Sequence, residues 1–328
     1  MKAVLTQLIS GGTLDEQQAH NCLVRIGEGE ISDEQIVSFM TILQLRGLQL
    51  EELAGFRNAL MELALHIKLE ANETIDVCGT GGDGKDTFNI STTTAFVIAS
   101  MGYKVVKHGN YGVSSLCGSS TVLEELGIVF SNREEDLQRQ LDATNICFLH
   151  APLFHPALKR VAPLRKALGV PTFFNGIGPL VNPANPTHQL TGTYSLELAK
   201  KYRHVLKDKR TSFTILHGMD GFDELTFIGK TRILGRHRDE LISESPFKTA
   251  VTLTDLSGGK TAHESAQLLI RILKGNGDEA HNTVIAGNVA LALQTFHPEM
   301  EFEHAFHTAY EQVLSGKAFQ HLVKLTLN

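Results

Sequence analysis

Cysteine is scarce in this chain of 328 residues. Cys22, Cys78, Cys117 and Cys147 lie far apart and form no C-x-x-C pair. This excludes a disulfide framework and the common zinc and thiol-exchange motifs, and it reads as reduced thiols in a cytoplasmic protein. An excess of positive charge is also missing, because 30 Lys and Arg stand against 36 Asp and Glu, a net charge of −6. A broad nucleic-acid surface is therefore not expected, although local basic spots remain able to hold phosphate. No apolar run reaches the roughly 20 residues of a membrane span. Asp15 and Glu16 come too early for a secretory signal. There is no repeat and no low-complexity linker.

Glycine, by contrast, is concentrated where it matters. The apolar run Ile75-Asp76-Val77-Cys78 leads into Gly79-Thr80-Gly81-Gly82-Asp83-Gly84, four glycines in six residues. Lys85-Asp86-Thr87-Phe88-Asn89-Ile90-Ser91-Thr92 follows, and then a helix-like run over Thr93–Met101. The order is strand, glycine loop, helix start. Glycines let backbone N–H groups approach an oxyanion, and a helix start adds unpaired donors. The loop is expected to hold phosphate. It is not a dinucleotide fingerprint, since Lys104 stands where the ribose-binding acid belongs. Nor is it a P-loop, since Asp86 follows Lys85 where Ser or Thr should hold the metal. An anionic Asp83 inside the loop points to a metal or sugar hydroxyls nearby.

The next expected strand, around Val105–Lys107, ends in Lys107-His108-Gly109-Asn110-Tyr111-Gly112-Val113-Ser114-Ser115, with Ser119 close behind. Such a strand end is rich in donors and poor in packing groups. Ligands of open α/β sheets bind at the carboxyl ends of strands.

Residues 1–70 show helical periodicity only. Thr13-Leu14-Asp15-Glu16 and Ser32-Asp33-Glu34-Gln35 read as capping boxes, and Ile36, Phe39, Met40 and Leu43 form an apolar stripe closed by Gly47. From Thr74 onward, strands are expected at 75–78, 105–107, 128–130, 146–149, 189–191 and 214–217, alternating with helices, and the tail from about Thr261 is helical again. The pattern predicts an α/β protein: a small all-helical domain plus a larger domain with a mostly parallel central sheet flanked by helices. A proline-rich segment from His155 to Pro186 interrupts the alternation.

Five segments in order resemble the anthranilate phosphoribosyltransferase family. They are 79–83, Asn89-Ile90-Ser91-Thr92, Lys107-His108-Gly109-Asn110 with Ser114-Ser115, Arg165 through Asn175-Gly176-Ile177-Gly178-Pro179-Leu180-Val181-Asn182-Pro183-Ala184, and His217 to Glu224. The resemblance implies transfer of a phosphoribosyl group from 5-phosphoribosyl 1-pyrophosphate (PRPP) to anthranilate, a step of tryptophan biosynthesis. It implies PRPP contacts from Gly79, Gly82, Asp83, Thr87, Asn89, Ile90, Ser91, Thr92, Lys107, His108, Gly109, Asn110, Ser114, Ser115 and Ser119. Anthranilate is expected at Gly79, Asn110 and Arg165, and magnesium, as two ions, at Ser91, Asp223 and Glu224. His108 is the one residue with an expected catalytic contact. The resemblance also implies a helical domain built from 1–70 and about 158–187, a PRPP-binding domain from 71–157 and 188–328, and a homodimer formed through the helical domain. Tyr111 departs from the family, where an arginine often follows this Asn, so the 5′-phosphate is expected to rest on Asn89, Ser91, Thr92, Lys107 and Ser119. A pyrimidine nucleoside phosphorylase shares this fold but has no clear use for an Asp223-Glu224 pair. A non-catalytic nucleic-acid-binding relative should be basic.

Overall fold

The computed structural model describes residues 1–112, 118–207 and 211–327. Four helices come first: α1 (Lys2–Ile9), α2 (Glu16–Gly27), α3 (Asp33–Arg46) and α4 (Leu50–Glu62). Strands and helices then alternate through β1 (Ile75–Gly79), α5 (Ile90–Ser100), β2 (Val105–Gly109), α6 (Ser119–Glu125), α7 (Glu134–Thr144) and β3 (Ile146–His150). The short α8 (Ala151–Phe154) and α9 (Val161–Leu168) precede β4 (His188–Gly192), α10 (Leu196–Lys207) and β5 (Ser212–Gly218). The chain ends with β6 (Thr231–Gly235), β7 (Asp239–Ile242), α11 (Ala262–Leu273), α12 (Glu279–Phe296), α13 (Phe302–Leu314) and α14 (Ala318–Thr326).

The strands form one sheet in the order β3-β2-β1-β4-β5-β6-β7. Neighbours from β3 to β5 are parallel, and β6 and β7 are antiparallel. The expected helical domain and mostly parallel sheet are both present. The chain leaves β1 toward one edge and returns at β4 to build the other, so the crevice of the sheet opens where β1 and β4 lie side by side. In β5, Phe213 and Ile215 pack toward the helical layer and Leu216 packs toward the opposite core. A strand buried on both faces needs such a near-continuous apolar run. α12 is buried along most of its length and lies against β4 and β5.

The stripe Ile36, Phe39, Met40 and Leu43 is fully buried, and Phe39, Phe56 and Phe173 meet ring to ring at 4.9–6.0 Å. Phe174, Ile177, Leu180 and Val181 join the same core. Three local expectations need correction. The 128–130 segment is not a strand: Ile128 N bonds Leu123 O across the Gly127 turn, and Phe130 stacks on the His150 ring at 4.6 Å. Its apolar residues serve side-chain packing rather than a ladder. The first capping box is shifted, with Asp15 as the cap and Gln18 as its reciprocal partner. Ser32 precedes α3 but makes no capping hydrogen bond with its side chain.

Candidate active site

A cavity of about 250 Å³ opens at the carboxyl ends of β1 and β2, under α9 and the 174–181 segment. Two glycines shape its floor. Gly79 of β1 pairs with Gly192 of β4. The loop after β5 settles onto both, so a Cβ at Gly79 would stand 2.3 Å from Asp223 Oδ2, and one at Gly192 would stand 1.5 Å from Asp223 O. Side chains there would exclude the acid-bearing loop. Gly81 and Gly82 take positive φ of 61° and 78°, a turn that only glycine makes without strain. Gly81 N–H donates to Asp223 Oδ2 at 2.7 Å, fastening the glycine loop to that acid.

The acids cluster tightly. Asp223 is pushed up to about 7 by burial and by the neighbouring Asp83 carboxylate. Burial, and then Asp223, raises Glu224 well above the usual carboxylate range. Asp83 is raised as well, mainly by burial. Among the described residues no three His, Cys, Asp or Glu side chains close a metal cage. An open group of carboxylates short of positive charge, beside the Ser91 hydroxyl, fits magnesium, which takes one or two carboxylates and completes its shell with water and phosphate oxygens.

Lys107 is buried at the end of β2. Its Nζ donates to Ser91 Oγ at 3.1 Å and to Val77 O. Asp76, buried beneath it, accepts from His108 N at 3.1 Å and Asn182 Nδ2 at 2.9 Å, and burial raises it to about 6. His108 is pushed down to about 3, by burial first and then by nearby His155, so the imidazole is neutral at physiological pH. Its Nδ1 lies 3.3 Å from Gly178 O, and its buried Nε2 has no partner. Across the cavity stands Arg165 of α9. Nη2 donates to Asn175 Oδ1 at 3.1 Å, the guanidinium lies over the Phe174 ring at 5.6 Å, and the buried Nε meets no acceptor. A flat anion could stack and be held there.

The cavity brings together Gly79, Gly82, Asp83, Thr87, Asn89, Ile90, Ser91, Lys107, His108, Gly109, Asn110, Ser119, Arg165, Asp223 and Glu224. Thr92 does not line it; it is fully buried one residue further along α5, and its hydroxyl has no partner. Ser114 and Ser115 lie outside the described residues. Sequence reasoning missed His155, Phe174 and Ile177, which line the cavity from the proline-rich segment. Phe174 and Ile177 fall within the 165–184 segment that carries the resemblance but were given no role there, and for His155 the one signal was the break in the strand–helix alternation.

Tyr111 lines the cavity without supplying a cation. Its hydroxyl donates to Glu124 Oε1 at 2.7 Å, and its ring meets His150 edge-on at 4.7 Å. His150 Nδ1 lies 2.9 Å from Ser120 Oγ, and both Ser119 Oγ and Ser120 N donate to Asn110 O at 3.3 Å. Tyr111 thus helps to pin Asn110 against the start of α6.

Known proteins resemble this chain throughout its length. Residues 2–64 match the helical bundle domain of a glycosyl transferase family, and residues 71–319 match the a/b domain of that family. The anthranilate phosphoribosyltransferase of Flavobacterium psychrophilum is 48% identical over 326 residues, 99% of this chain and 98% of the relative. The anthranilate phosphoribosyltransferase of Thermus thermophilus superposes with a TM-score of 0.90 at 30% identity, over 98% of both chains. The Saccharomyces cerevisiae enzyme in complex with PRPP and Mg gives a TM-score of 0.88 at 26% identity, over 99% of this chain and 97% of that one. On this fold, cavity and likeness, the chain belongs to the anthranilate phosphoribosyltransferase family of glycosyltransferases.

Proposed function

We propose that this chain transfers the phosphoribosyl group of PRPP to the amine of anthranilate, giving N-(5-phosphoribosyl)anthranilate and pyrophosphate in tryptophan biosynthesis. The observation that carries the reading is one cavity with an acid cluster and glycine loop on its floor and an unpaired guanidinium over an aromatic ring on the opposite wall. The two ends suit the two substrates. A pyrimidine nucleoside phosphorylase has no need of the acid cluster, and the acidic balance of the chain disfavours nucleic acid.

The segment leading into α5, with Thr87, Asn89, Ile90 and Ser91, offers its N–H donors and hydroxyls to phosphate oxygens, whereas Thr92 stays behind it in the core. Lys107, Gly109, Asn110 and Ser119 do the same from β2 and α6. Arg165 holds the anthranilate carboxylate, with Gly79 and Asn110 at the ring's other edge. Two magnesium ions at Ser91, Asp223 and Glu224 would supply Lewis-acid neutralisation of the leaving pyrophosphate. An aromatic amine is nucleophilic when neutral, so positioning and charge neutralisation carry most of the rate. His108, neutral and with Nδ1 3.3 Å from Gly178 O, lines the cavity where its backbone or ring stabilises the developing ribosyl cation.

The helical domain comprises 1–70 and about 158–187, a division supported by the core shared between Phe56 and Phe173. The remainder, 71–157 with 188–328, binds PRPP. Ile9 of α1 and Leu45 of α3 are 74% and 84% exposed, which supports a homodimer through this domain. The free thiols of Cys22, Cys78 and Cys147 support a cytoplasmic setting. Among the described residues no helix is long and apolar enough to cross a membrane. The test is to mix the protein with anthranilate, PRPP and magnesium and follow anthranilate fluorescence. A loss that requires all three components is expected; none with folded protein refutes the assignment.

A further inference from the structure

A second cavity, of about 260 Å³, lies between α4, the 179–187 segment, β4 and α10, and Pro179 lines both it and the substrate cavity. Among the described residues that line it, Arg57 is the only charged side chain. Arg57 Nη1 donates to Asn58 Oδ1 at 3.1 Å, but Nε is buried and meets no acceptor. Much of the remaining described polar wall is already engaged. Asn182 Nδ2 donates to Asp76 Oδ2 and Val106 O, and its Oδ1 accepts from Ala184 N. Gln189 Nε2 donates to Pro179 O, and Thr211 Oγ1 donates to Pro186 O at 3.4 Å.

Among the buried side-chain donors of the described lining, Arg57 Nε is the one without an acceptor. Leaving a buried cation without an acceptor is costly. A guanidinium N–H and a carboxylate oxygen form a charge-assisted hydrogen bond, roughly twice as strong as a neutral one. Pro179, Leu180, Pro186 and Leu206 supply an apolar remainder suited to a short aliphatic tail.

We propose that this cavity is a second ligand site, taking a small aliphatic carboxylate held by the Arg57 guanidinium. It is separate from the substrate cavity, whose own guanidinium is Arg165. The shared wall gives the site a route to the chemistry, because Gly178, the residue before Pro179, presents its carbonyl to His108.

The test uses the full chain labelled with ¹⁵N, and it follows the Nε–Hε resonances of Arg57 and Arg165 during titration with sodium propionate at constant ionic strength. The Arg57→Gln variant identifies the first resonance. The expected result is a saturable shift of the Arg57 signal in the millimolar range, retained in Arg165→Ala and absent with propionamide. The proposal is overturned if the Arg57 signal does not saturate, if propionamide or chloride reproduces the shift, or if Arg165→Ala abolishes it. The last result would place the anion in the substrate cavity alone. Because the readout is made on the wild-type chain, it does not depend on the folding of the Arg57 variant.

Discussion

Replacing Arg165 by Ala tests the substrate assignment most directly. Within the protein this guanidinium has little to hold it: Asn175 Oδ1 at 3.1 Å, the Phe174 ring at 5.6 Å, and a buried Nε without an acceptor. Removing it therefore costs the fold little, and the melting temperature should stay close to that of the wild type. What is lost is a charged hydrogen bond to the only full charge on anthranilate, worth about 1.5–3 kcal/mol. That corresponds to a roughly ten- to hundred-fold loss in kcat/KM for anthranilate, carried by KM. The KM for PRPP should hardly move, since the residues proposed to hold its phosphates lie at the opposite end of the cavity. Initial rates from anthranilate fluorescence, with each substrate varied in turn, measure both constants. Aniline provides the control: lacking the carboxylate, it should be a poor substrate of the wild type and lose little more in the variant. Equal damage to both substrates, or to aniline and anthranilate alike, would show that Arg165 does not receive the carboxylate.

Three further outcomes are expected. The double variant Asp223→Asn, Glu224→Gln should need far more magnesium for activity, yet the metal-free protein should melt higher at pH 7.5, because burial holds the Asp223 pKa at about 7 against 3.8 and that cost grows as pH rises between the two values; an unchanged magnesium dependence refutes the metal site. Gly192→Ala should destabilise by about 1–3 kcal/mol or more and abolish PRPP binding in calorimetry, since its Cβ would overlap Asp223 O; wild-type affinity would remove the β1–β4 crevice from the site. His155 titrates at about 4 in the fold against an ordinary 6.5, chiefly through burial, so its stabilising contribution is complete above pH 6.5 and is lost as pH falls toward 4; His155→Gln, which can still donate to Val181 O, should flatten the melting curve over that window, and an unaltered slope refutes the reading.

Much of this was legible in the sequence, for identifiable reasons. The glycine loop, the start of α5 and the Lys107 strand end are contiguous, so each carries its chemistry in one short segment. Five expected strands appear close to their expected bounds, because short apolar runs such as Val105-Val106 and Ile146-Cys147-Phe148-Leu149, set between helices, mark strands buried on both faces. The β6–β7 pair was not foreseen: Asp239-Glu240-Leu241-Ile242 lies at the sheet edge, largely exposed, where no apolar pattern is required. The 128–130 segment misled because Ile128 and Phe130 are apolar for side-chain reasons, while Val129 is exposed. The second cavity was invisible, since Arg57 and Thr211 meet only in the folded chain.

The ring contact between Phe56 and Phe173 carries a consequence for how the chain emerges during synthesis. Helices α1 to α4 are complete by residue 62, but Phe173 and Phe174, the first of which packs on both Phe39 and Phe56, lie more than 100 residues downstream. At about 5–20 residues per second, the ribosome needs roughly 6–20 seconds to supply them. Throughout that interval the faces of Phe39 and Phe56 that Phe173 will cover stand open, making the leading helices clients for a holding chaperone. A stall or a premature stop anywhere between α4 and Phe173 should leave an insoluble fragment rather than a small folded one.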